Sequence, residues 1–308
     1  MLQAESPARR QLRVKLGEFI YRSGLHHYVL IPHRPPGGGL RLRLFDYLKH
    51  YLDQAKSCPA NLRIGSPTIT LRCDLNDHML KPYLFGERGL YEEEEIAHCA
   101  SYIRAGDVLL DIGANHGFWS FLLAARQPGL EQIVTVEANP ELAERIRLSA
   151  RLNPEIPVTV VNEALCRPGV SEVTFYLPME NPVGNLSGLG SIVLHDMATQ
   201  EGYLSPERAI TCPATSLDAL VERLRLPRLD LVKIDVEQAE DQVIEGGKKV
   251  FEAMHPRLVM VETAATSQTT SYLLSLGYQA HILSEGAEIN TSIPEDFWGN
   301  IFFTWPTA

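Results

Sequence analysis

The 308-residue sequence lacks the features of membrane-spanning, disulfide-bonded and zinc-binding proteins. No apolar run approaches the roughly 18 to 20 residues that a membrane-spanning helix needs. The N-terminal region lacks the layout of a secretory signal, because Arg9, Arg10, Arg13 and Lys15 interrupt it. The five cysteines are scattered and form no C-x-x-C pair, which disfavours a disulfide framework or a structural zinc site. These absences predict a cytoplasmic protein.

Positive charge is scarce except at the N-terminus. The chain carries 28 basic and 38 acidic residues, a net charge of −10. Residues 1–60 contain ten Lys and Arg against four Asp and Glu, a net charge of +6, so the remainder carries −16. An acidic body disfavours nucleic acid as a partner. The basic segment suits an anionic membrane, an acidic glycan or a partner protein, and a solvated basic face without a partner is the simpler alternative.

The basic segment is predicted to contain two helices, of which the second is expected to pack on its own protein more often than on lipid. A short helix is expected at 15–22, and the Pro- and Gly-rich stretch 32–39 interrupts regular structure. Apolar side chains at helical spacing then predict an amphipathic helix over 40–56. We therefore expect residues 1–60 to form an accessory arm. Contact of this arm with a membrane, a partner protein or a second copy of the chain is left open.

Residues 61–308 are predicted to form one α/β domain. Short β-like runs over 61–90 predict a lid or β-cap, and the regular part begins at residue 91. There, strands alternate with helices, which indicates βαβ units and a parallel sheet. The strands are expected at 108–111, 133–137, 158–161, 230–235, 257–262, 277–283 and 300–305. No helical pattern separates the last two, so they are expected to form an antiparallel pair at one edge of a seven-stranded sheet.

The run V-L-L-D-I-G-A-N-H-G-F-W-S-F at 108–121 is the most informative segment. It indicates a buried strand ending in Asp111, a tight turn with Gly113 and Gly117, and then a helix. Glycines let the backbone approach a ligand, and free N–H groups of the helix face that ligand. An acid is unfavourable beside a pyrophosphate but suits an ammonium group, so the spacing favours S-adenosylmethionine over a dinucleotide. A Gly-rich turn without a ligand is the alternative for this segment alone.

Polar residues stand at the carboxyl ends of five predicted strands, where ligands bind in open α/β sheets. They are Asp111, Glu137, Asn162–Glu163, Asp235 and Glu262. Glu137 is predicted to accept both hydroxyls of a ribose, with a cap for the helix at 140–152 as its alternative role. Glu163 and Ala164 are predicted to lie along an adenine ring.

Five segments together resemble the FkbM family of S-adenosylmethionine-dependent methyltransferases. They are DIGANHG at 111–117, VEANP at 136–140, NEAL at 162–165, SLD at 216–218 and KIDVEQAE at 233–240. The resemblance covers roughly residues 82–305. It implies a class I methyltransferase fold, with a Rossmann-like, mostly parallel seven-stranded sheet and an antiparallel terminal strand. It also implies methyl transfer, often to a hydroxyl of a sugar, polyketide or other natural product.

The sequence departs from the family pattern at two positions, where His116 replaces isoleucine and Gln238 replaces glycine. Tyr91–Glu92 resembles the family's Tyr-Glu pair, which implies contact with the cofactor. The predicted cofactor-binding residues are Tyr91, Glu92, Asp111, Gly113, Asn115, Gly117, Glu137, Ala138, Asn139, Glu163, Ala164 and Asp235.

A hydroxyl acceptor is a poor nucleophile unless a base accepts its proton. Asp235, at the end of a central strand, is the first candidate base, and Glu237 follows it closely. The long irregular stretch 177–212 is expected to be a lid that recognises the acceptor, and its His195 is an alternative base. Glu237 and Glu240 have a second interpretation, as caps of the next helix.

The same acids offer a metal alternative. Asp235, Glu237 and Glu262 present the oxygen ligands that Mg²⁺ prefers. This interpretation is not favoured, because no histidine joins the cluster in sequence, and no metal ligands are assigned.

The sequence therefore predicts a methyltransferase that uses S-adenosylmethionine on a small-molecule or glycan hydroxyl. A glycan made at the inner face of the membrane is a plausible acceptor, because the arm is basic. Two other classes compete: a non-catalytic docking or dimerising protein, and a nicotinamide oxidoreductase. The intact acids Asp111, Glu137 and Asp235 disfavour the first. The acid that precedes Gly113 and the terminal strand pair disfavour the second.

Overall fold

The computed structural model describes most of the chain, with gaps near the N-terminus and between two later strands. The described residues are 7–26, 40–55, 57–65, 67–77, 80–84, 92–178, 189–194, 204–284 and 286–306. Tyr91 and His195, two predicted site residues, lie outside them. Among the described residues, no helix is long and apolar enough to cross a lipid bilayer.

In the part of the N-terminal region that the structure describes, two helices and a β-hairpin precede the main sheet. They are α1 (Pro7–Arg22), α2 (Leu40–Leu52), β1 (Pro59–Ile64) and β2 (Ile69–Asp74), followed by the short α3 (Leu80–Leu84). The helices pack closely at Gly17, where an added Cβ would lie 2.1 Å from the Tyr47 carbonyl oxygen. The helix expected at 15–22 therefore starts earlier, at Pro7, and the amphipathic helix expected at 40–56 is present. The boundary of the arm at residue 60 stays a prediction.

The main sheet has eight strands among the described residues. They are β3 (Val108–Ile112), β4 (Gln132–Val136), β5 (Val158–Val161), β9 (Leu231–Ile234), β10 (Leu258–Ala264), β11 (Gln279–Leu283), β12 (Ile289–Asn290) and β13 (Trp298–Thr304). Their order is β12-β11-β13-β10-β9-β3-β4-β5. The five strands from β10 to β5 are parallel, and β13 runs antiparallel between β10 and β11. Apart from the two-residue β12, this confirms the predicted sheet.

Within the described ranges, seven helices connect or flank these strands. They are α4 (Glu93–Ala100), α5 (Phe118–Arg126), α6 (Pro140–Leu152), α7 (Leu217–Leu224), α8 (Glu240–Gly246), α9 (Lys248–Met254) and α10 (Gln268–Leu276). Side chains alternate across the sheet: Leu109 joins one apolar cluster, whereas Val108 and Leu110 join the other. The first cluster reaches Ile20 and Leu48 of the arm. The arm helices therefore pack against the same core as the sheet.

A small second sheet corrects the expected extent of the irregular stretch 177–212. It consists of β6 (Ala164–Leu165), β8 (Leu204–Thr215) and β7 (Glu172–Pro178), in that order. Residues 204–212 are therefore strand and not loop. The sequence hides this strand because it holds two prolines and is mostly exposed or half-buried, so it shows no apolar alternation. The predicted role of the stretch as a lid remains a prediction.

Gly113 brings the end of β3 against the end of β9. Its φ is +80°, and an added Cβ would lie 1.8 Å from the Asp235 carbonyl oxygen. Gly169 has a similar φ of +83°, but an added Cβ there would meet nothing within 4 Å. The two glycines thus separate the effect of a close backbone approach from that of the left-handed conformation alone.

We expect Gly113→Ala to lower the free energy of unfolding by about 3 kcal/mol or more. Gly169→Ala should cost only about 1–2 kcal/mol, the usual price of a left-handed non-glycine residue. Urea denaturation followed by circular dichroism measures both values. Equal losses in the two variants would show that the contact between Gly113 and Asp235 imposes no constraint.

Candidate active site

The carboxylate that precedes the glycine turn is fully buried. Asp111 is 0% exposed, and its Oδ2 accepts a hydrogen bond from the Ser120 hydroxyl at 2.6 Å. Among the described residues, no group donates to its Oδ1. Burial raises the pKa of Asp111, and the nearby Lys233 ammonium opposes this rise. A buried acceptor without a partner at the ligand-binding edge of the sheet fits a donor group of a ligand.

Glu137, at the end of β4, forms hydrogen bonds with both the glycine turn after β3 and the turn before α6. Its two carboxylate oxygens accept the backbone N–H groups of Asn115 (2.7 Å) and Asn139 (2.8 Å). Burial raises the pKa of Glu137 to about 7, although both hydrogen bonds oppose the rise. Each oxygen keeps a second lone pair, so the residue still has the capacity to accept ribose hydroxyls. The cap of α6 is Asn139, which accepts the Glu141 N–H at 3.0 Å.

A first cavity of about 540 Å³ opens beside Glu137. Most of its wall is apolar, and it includes Leu142, Phe175 and Ile192. The predicted site residues that line it are Gly113, Asn115, Glu137, Ala138, Glu163, Ala164, Asp235 and Glu237. The sequence analysis missed Phe175 and Ile192, because they come from β7 and the segment 189–194. No local pattern connects these two segments with the glycine turn.

A second cavity of about 570 Å³ lies on the other side of the glycine turn. Leu80, Tyr83, Trp119 and Lys233 line it, together with Glu92 from the start of α4. Gly113, Asn115 and Asp235 line both cavities. Of the predicted cofactor residues, Asp111, Gly117 and Asn139 lie outside both linings. The two cavities therefore share part of their walls at the junction of β3 and β9.

A buried ammonium group balances the charge at this junction. Lys233 is 4% exposed, and its Nζ lies 2.8 Å from Oδ2 of Asp235. Burial alone would lower the pKa of Lys233, but neighbouring carboxylates raise it well above its usual value. These carboxylates belong to Asp235, Glu92 and Asp111. Lys233 therefore stays charged and favours ionised carboxylates around it.

The acids beside Lys233 differ in pKa. Burial raises the pKa of Asp235, but Lys233 and a hydrogen bond with Glu262 outweigh it, so this pKa lies below its usual value. Burial, and then the Asp235 charge, raise the pKa of Glu237 to about 8 and that of Glu262 to about 9. At neutral pH the ligand-free site thus holds an ionised Asp235 beside two protonated carboxyls.

The same three acids test the metal alternative. Carboxylate oxygens of Asp235, Glu237 and Glu262 all lie within 4.8 Å of one another, and hard oxygen donors suit Mg²⁺. However, Lys233 already neutralises Asp235, and Glu262 would have to lose a proton whose pKa is about 9. The carboxylate oxygens of these acids are suitable ligands for a divalent cation. However, the Lys233 ammonium group already supplies the positive charge that such a cation would bring.

The turn after β9 holds two non-glycine residues in the left-handed region. The φ angles of Glu237 and Gln238 are +53° and +70°. The Glu240 carboxylate accepts the N–H groups of Val236 (3.1 Å) and Gln238 (3.2 Å), which lie in the turn before α8, so its role as a cap of that helix stays a prediction. The Ser191 hydroxyl donates to the Glu237 carbonyl oxygen at 2.6 Å. Hydrogen bonds with side chains therefore hold this turn in place. The left-handed conformation at Gln238 is one that glycine, the residue of the family pattern, adopts more easily.

His116 links the glycine turn to the segment after the hairpin. Its Nε2 lies 3.1 Å from Oδ2 of Asp77, and both residues are buried. The sequence showed His116 as a departure from the family pattern but gave no sign of its partner, which is 39 residues away.

The strand order and the strand-end cavities define a class I S-adenosylmethionine-dependent methyltransferase fold. The model of the methyltransferase FkbM domain matches residues 111–280, more than half of the chain. The chain therefore belongs to the FkbM family of methyltransferases, and this confirms the resemblance. Among proteins with curated descriptions, no sequence matches this chain.

Several solved structures are similar to the chain at low sequence identity. The methyltransferase FkbM from Methylobacillus flagellatus KT is 14% identical with a TM-score of 0.43, over 94% of this chain and 60% of that one. The precorrin-6y C5,15-methyltransferase from Geobacter metallireducens GS-15 is 14% identical with a TM-score of 0.39, over 71% of this chain and 90% of that one. The Pyrococcus abyssi tRNA (uracil-54, C5)-methyltransferase in complex with S-adenosyl-L-homocysteine is 10% identical with a TM-score of 0.39, over 79% of this chain and 43% of that one.

The substitution Glu262→Gln tests whether the Glu262 carboxyl keeps its proton at neutral pH in the folded protein. A carboxyl whose pKa is raised by folding stabilises the protein below its unfolded pKa, and this contribution is lost as the pH rises through the folded pKa. Glutamine keeps a donor toward Asp235 but cannot ionise. Between about pH 7 and pH 10, we therefore expect the variant to lose less stability than the wild type. Urea denaturation at several pH values measures the difference, with the exposed Glu295→Gln as control. Parallel curves for wild type and Glu262→Gln would contradict the assignment.

Proposed function

We propose that this protein transfers a methyl group from S-adenosylmethionine to a hydroxyl oxygen of a small-molecule or glycan acceptor. The observation that carries the proposal is the position of Asp235 and Gly113, which lie in the wall that the two cavities share. The family accounts for S-adenosylmethionine-dependent methyl transfer. The carboxyl groups at the junction of β3 and β9 favour a hydroxyl acceptor, because a carboxylate can accept the proton that the hydroxyl loses.

Each part of the cofactor has matching residues. The first cavity suits the adenosine, because its wall is largely apolar and Glu137 has lone pairs for the ribose hydroxyls. The second cavity suits the methionine part, because Glu92 and the buried Asp111 nearby favour an ammonium group. When bound, S-adenosylmethionine supplies an electrophilic methyl group.

Glu237 is the best-placed proton acceptor. The Asp235 carboxylate is paired with Lys233 and has a lowered pKa, so it holds a proton weakly and serves better to orient its neighbours. Glu237 lines the first cavity, and its pKa of about 8 makes its ionised form a stronger base than the Asp235 carboxylate. Only the fraction of Glu237 that has lost its proton can accept one from the acceptor, so this fraction increases as the pH rises toward 8. Asp235 and His195 remain the other candidate bases.

The test is transfer of a ¹³C-labelled methyl group from S-adenosylmethionine to fractionated cell glycans and small molecules. The ¹³C chemical shift of the product distinguishes O-, N- and C-methylation, and we expect an O-methyl signal. Glu237→Gln should lower turnover by about 10² to 10⁴-fold and leave cofactor affinity nearly unchanged. The exposed Glu207→Gln, in β8, is the matched control.

Four results would contradict parts of this proposal. An N- or C-methyl product would exclude the hydroxyl acceptor, and a fully active Glu237→Gln would exclude Glu237 as base. Loss of turnover with a chelator, restored by Mg²⁺, would favour the metal role of the acid cluster. Cofactor binding without transfer to any fraction would favour the docking-protein alternative.

Cofactor binding should release protons. Burial raises the pKa values of Glu92 and Glu137 to about 7, so both are partly protonated near neutral pH. A cationic ligand favours their ionised forms, so affinity should increase as the pH rises from about 6 to 8. Calorimetry in buffers of different ionisation enthalpy measures the released protons, and Glu92→Gln should reduce their number. A pH-independent affinity for S-adenosylmethionine would contradict the assignment of Glu92.

A further inference from the structure

The first helix exposes two large apolar side chains on one face. Leu12 is 58% exposed and Phe19 is 62% exposed, and they lie seven residues apart, two helical turns, on the same side of α1. The opposite side packs against α2, where Ile20 is buried and Gly17 contacts the Tyr47 carbonyl. The apolar pair therefore faces away from the protein's own core.

Cationic side chains surround this pair. The α1 sequence contains five basic residues and one acid, Glu18, which bonds to Arg22 at 2.8 Å. Lys15 lies on the same face between Leu12 and Phe19, and it is exposed. The chain after residue 60 carries a net charge of −16. The cationic face is therefore a local feature on an acidic protein.

We propose that this face, formed by Leu12, Lys15, Phe19 and Arg22, binds the surface of an anionic lipid bilayer. Exposed phenylalanine and leucine side chains can enter the boundary between the lipid headgroups and the acyl chains, while lysine and arginine beside them keep their charges at the headgroups. Anionic headgroups attract the cations, while the two apolar side chains enter the boundary of the acyl region. The inference concerns the arm alone and does not depend on the proposed acceptor.

A second copy of the chain fits this face less well. A stable protein interface buries about 800 Å² on each partner. Two aromatic or aliphatic side chains contribute at most about 250 Å² each, so the exposed apolar pair falls short of that area. A bilayer needs no complementary shape, and charge attraction adds to the burial of two side chains.

The test is sedimentation of the full chain with vesicles. One set contains phosphatidylcholine alone, and the other contains roughly a third phosphatidylglycerol. We expect binding to the anionic vesicles, weakened by high salt, and no measurable binding to the neutral ones. Leu12→Ser combined with Phe19→Ser should reduce the affinity at least about tenfold. Lys15→Glu should reduce it severalfold.

A matched control carries two apolar substitutions elsewhere on the surface. Leu274 and Ile289 are 46% and 58% exposed, so Leu274→Ser combined with Ile289→Ser should leave vesicle binding unchanged. Circular dichroism confirms that each variant is folded. Absence of vesicle binding, equal binding to neutral vesicles, or full binding by the Leu12 and Phe19 variant would overturn the proposal. So would light scattering that shows a dimer lost in that variant while the wild type binds no vesicles.

Discussion

The ion pair between Lys233 and Asp235 is the interaction on which the site depends. It places a buried ammonium group where β3, β9 and the start of α4 meet, within the field of Asp111 and Glu92. Without that charge, several carboxyls would share a water-poor space and would have to take up protons. With it, Asp235 stays ionised, and Glu237 retains its proton near neutral pH. In this cluster, Asp235 is therefore the permanently ionised carboxylate, whereas the carboxyls with raised pKa values can gain and lose protons.

A second constraint is the narrow contact between the two central strands. The Asp235 carbonyl lies so close to Gly113 that no side chain fits between them. This contact brings the glycine turn against the acid turn, so that the first and second cavities share part of their walls. Hydrogen bonds to Glu137 and from Ser191 then fix the turns on either side. The backbone thus sets the geometry, and Lys233 sets the charge.

Much of this arrangement could be predicted from the sequence, because it follows from local patterns. The strand ends at Asp111, Glu137 and Asp235 were placed within one or two residues, since buried runs and glycines mark them. Other parts depend on partners distant in sequence, such as the contact of His116 with Asp77 and the Phe175 wall. The exposed strand β8 carries no apolar alternation, so its sequence resembles a loop.

The central claim is that the junction of β3 and β9 binds S-adenosylmethionine. The most direct test is calorimetric titration of the purified protein with S-adenosylhomocysteine, with NAD in a parallel experiment. The account predicts micromolar binding of S-adenosylhomocysteine, about −8 kcal/mol, and no binding of NAD. NAD binding of equal strength, or no binding of S-adenosylhomocysteine, would contradict it.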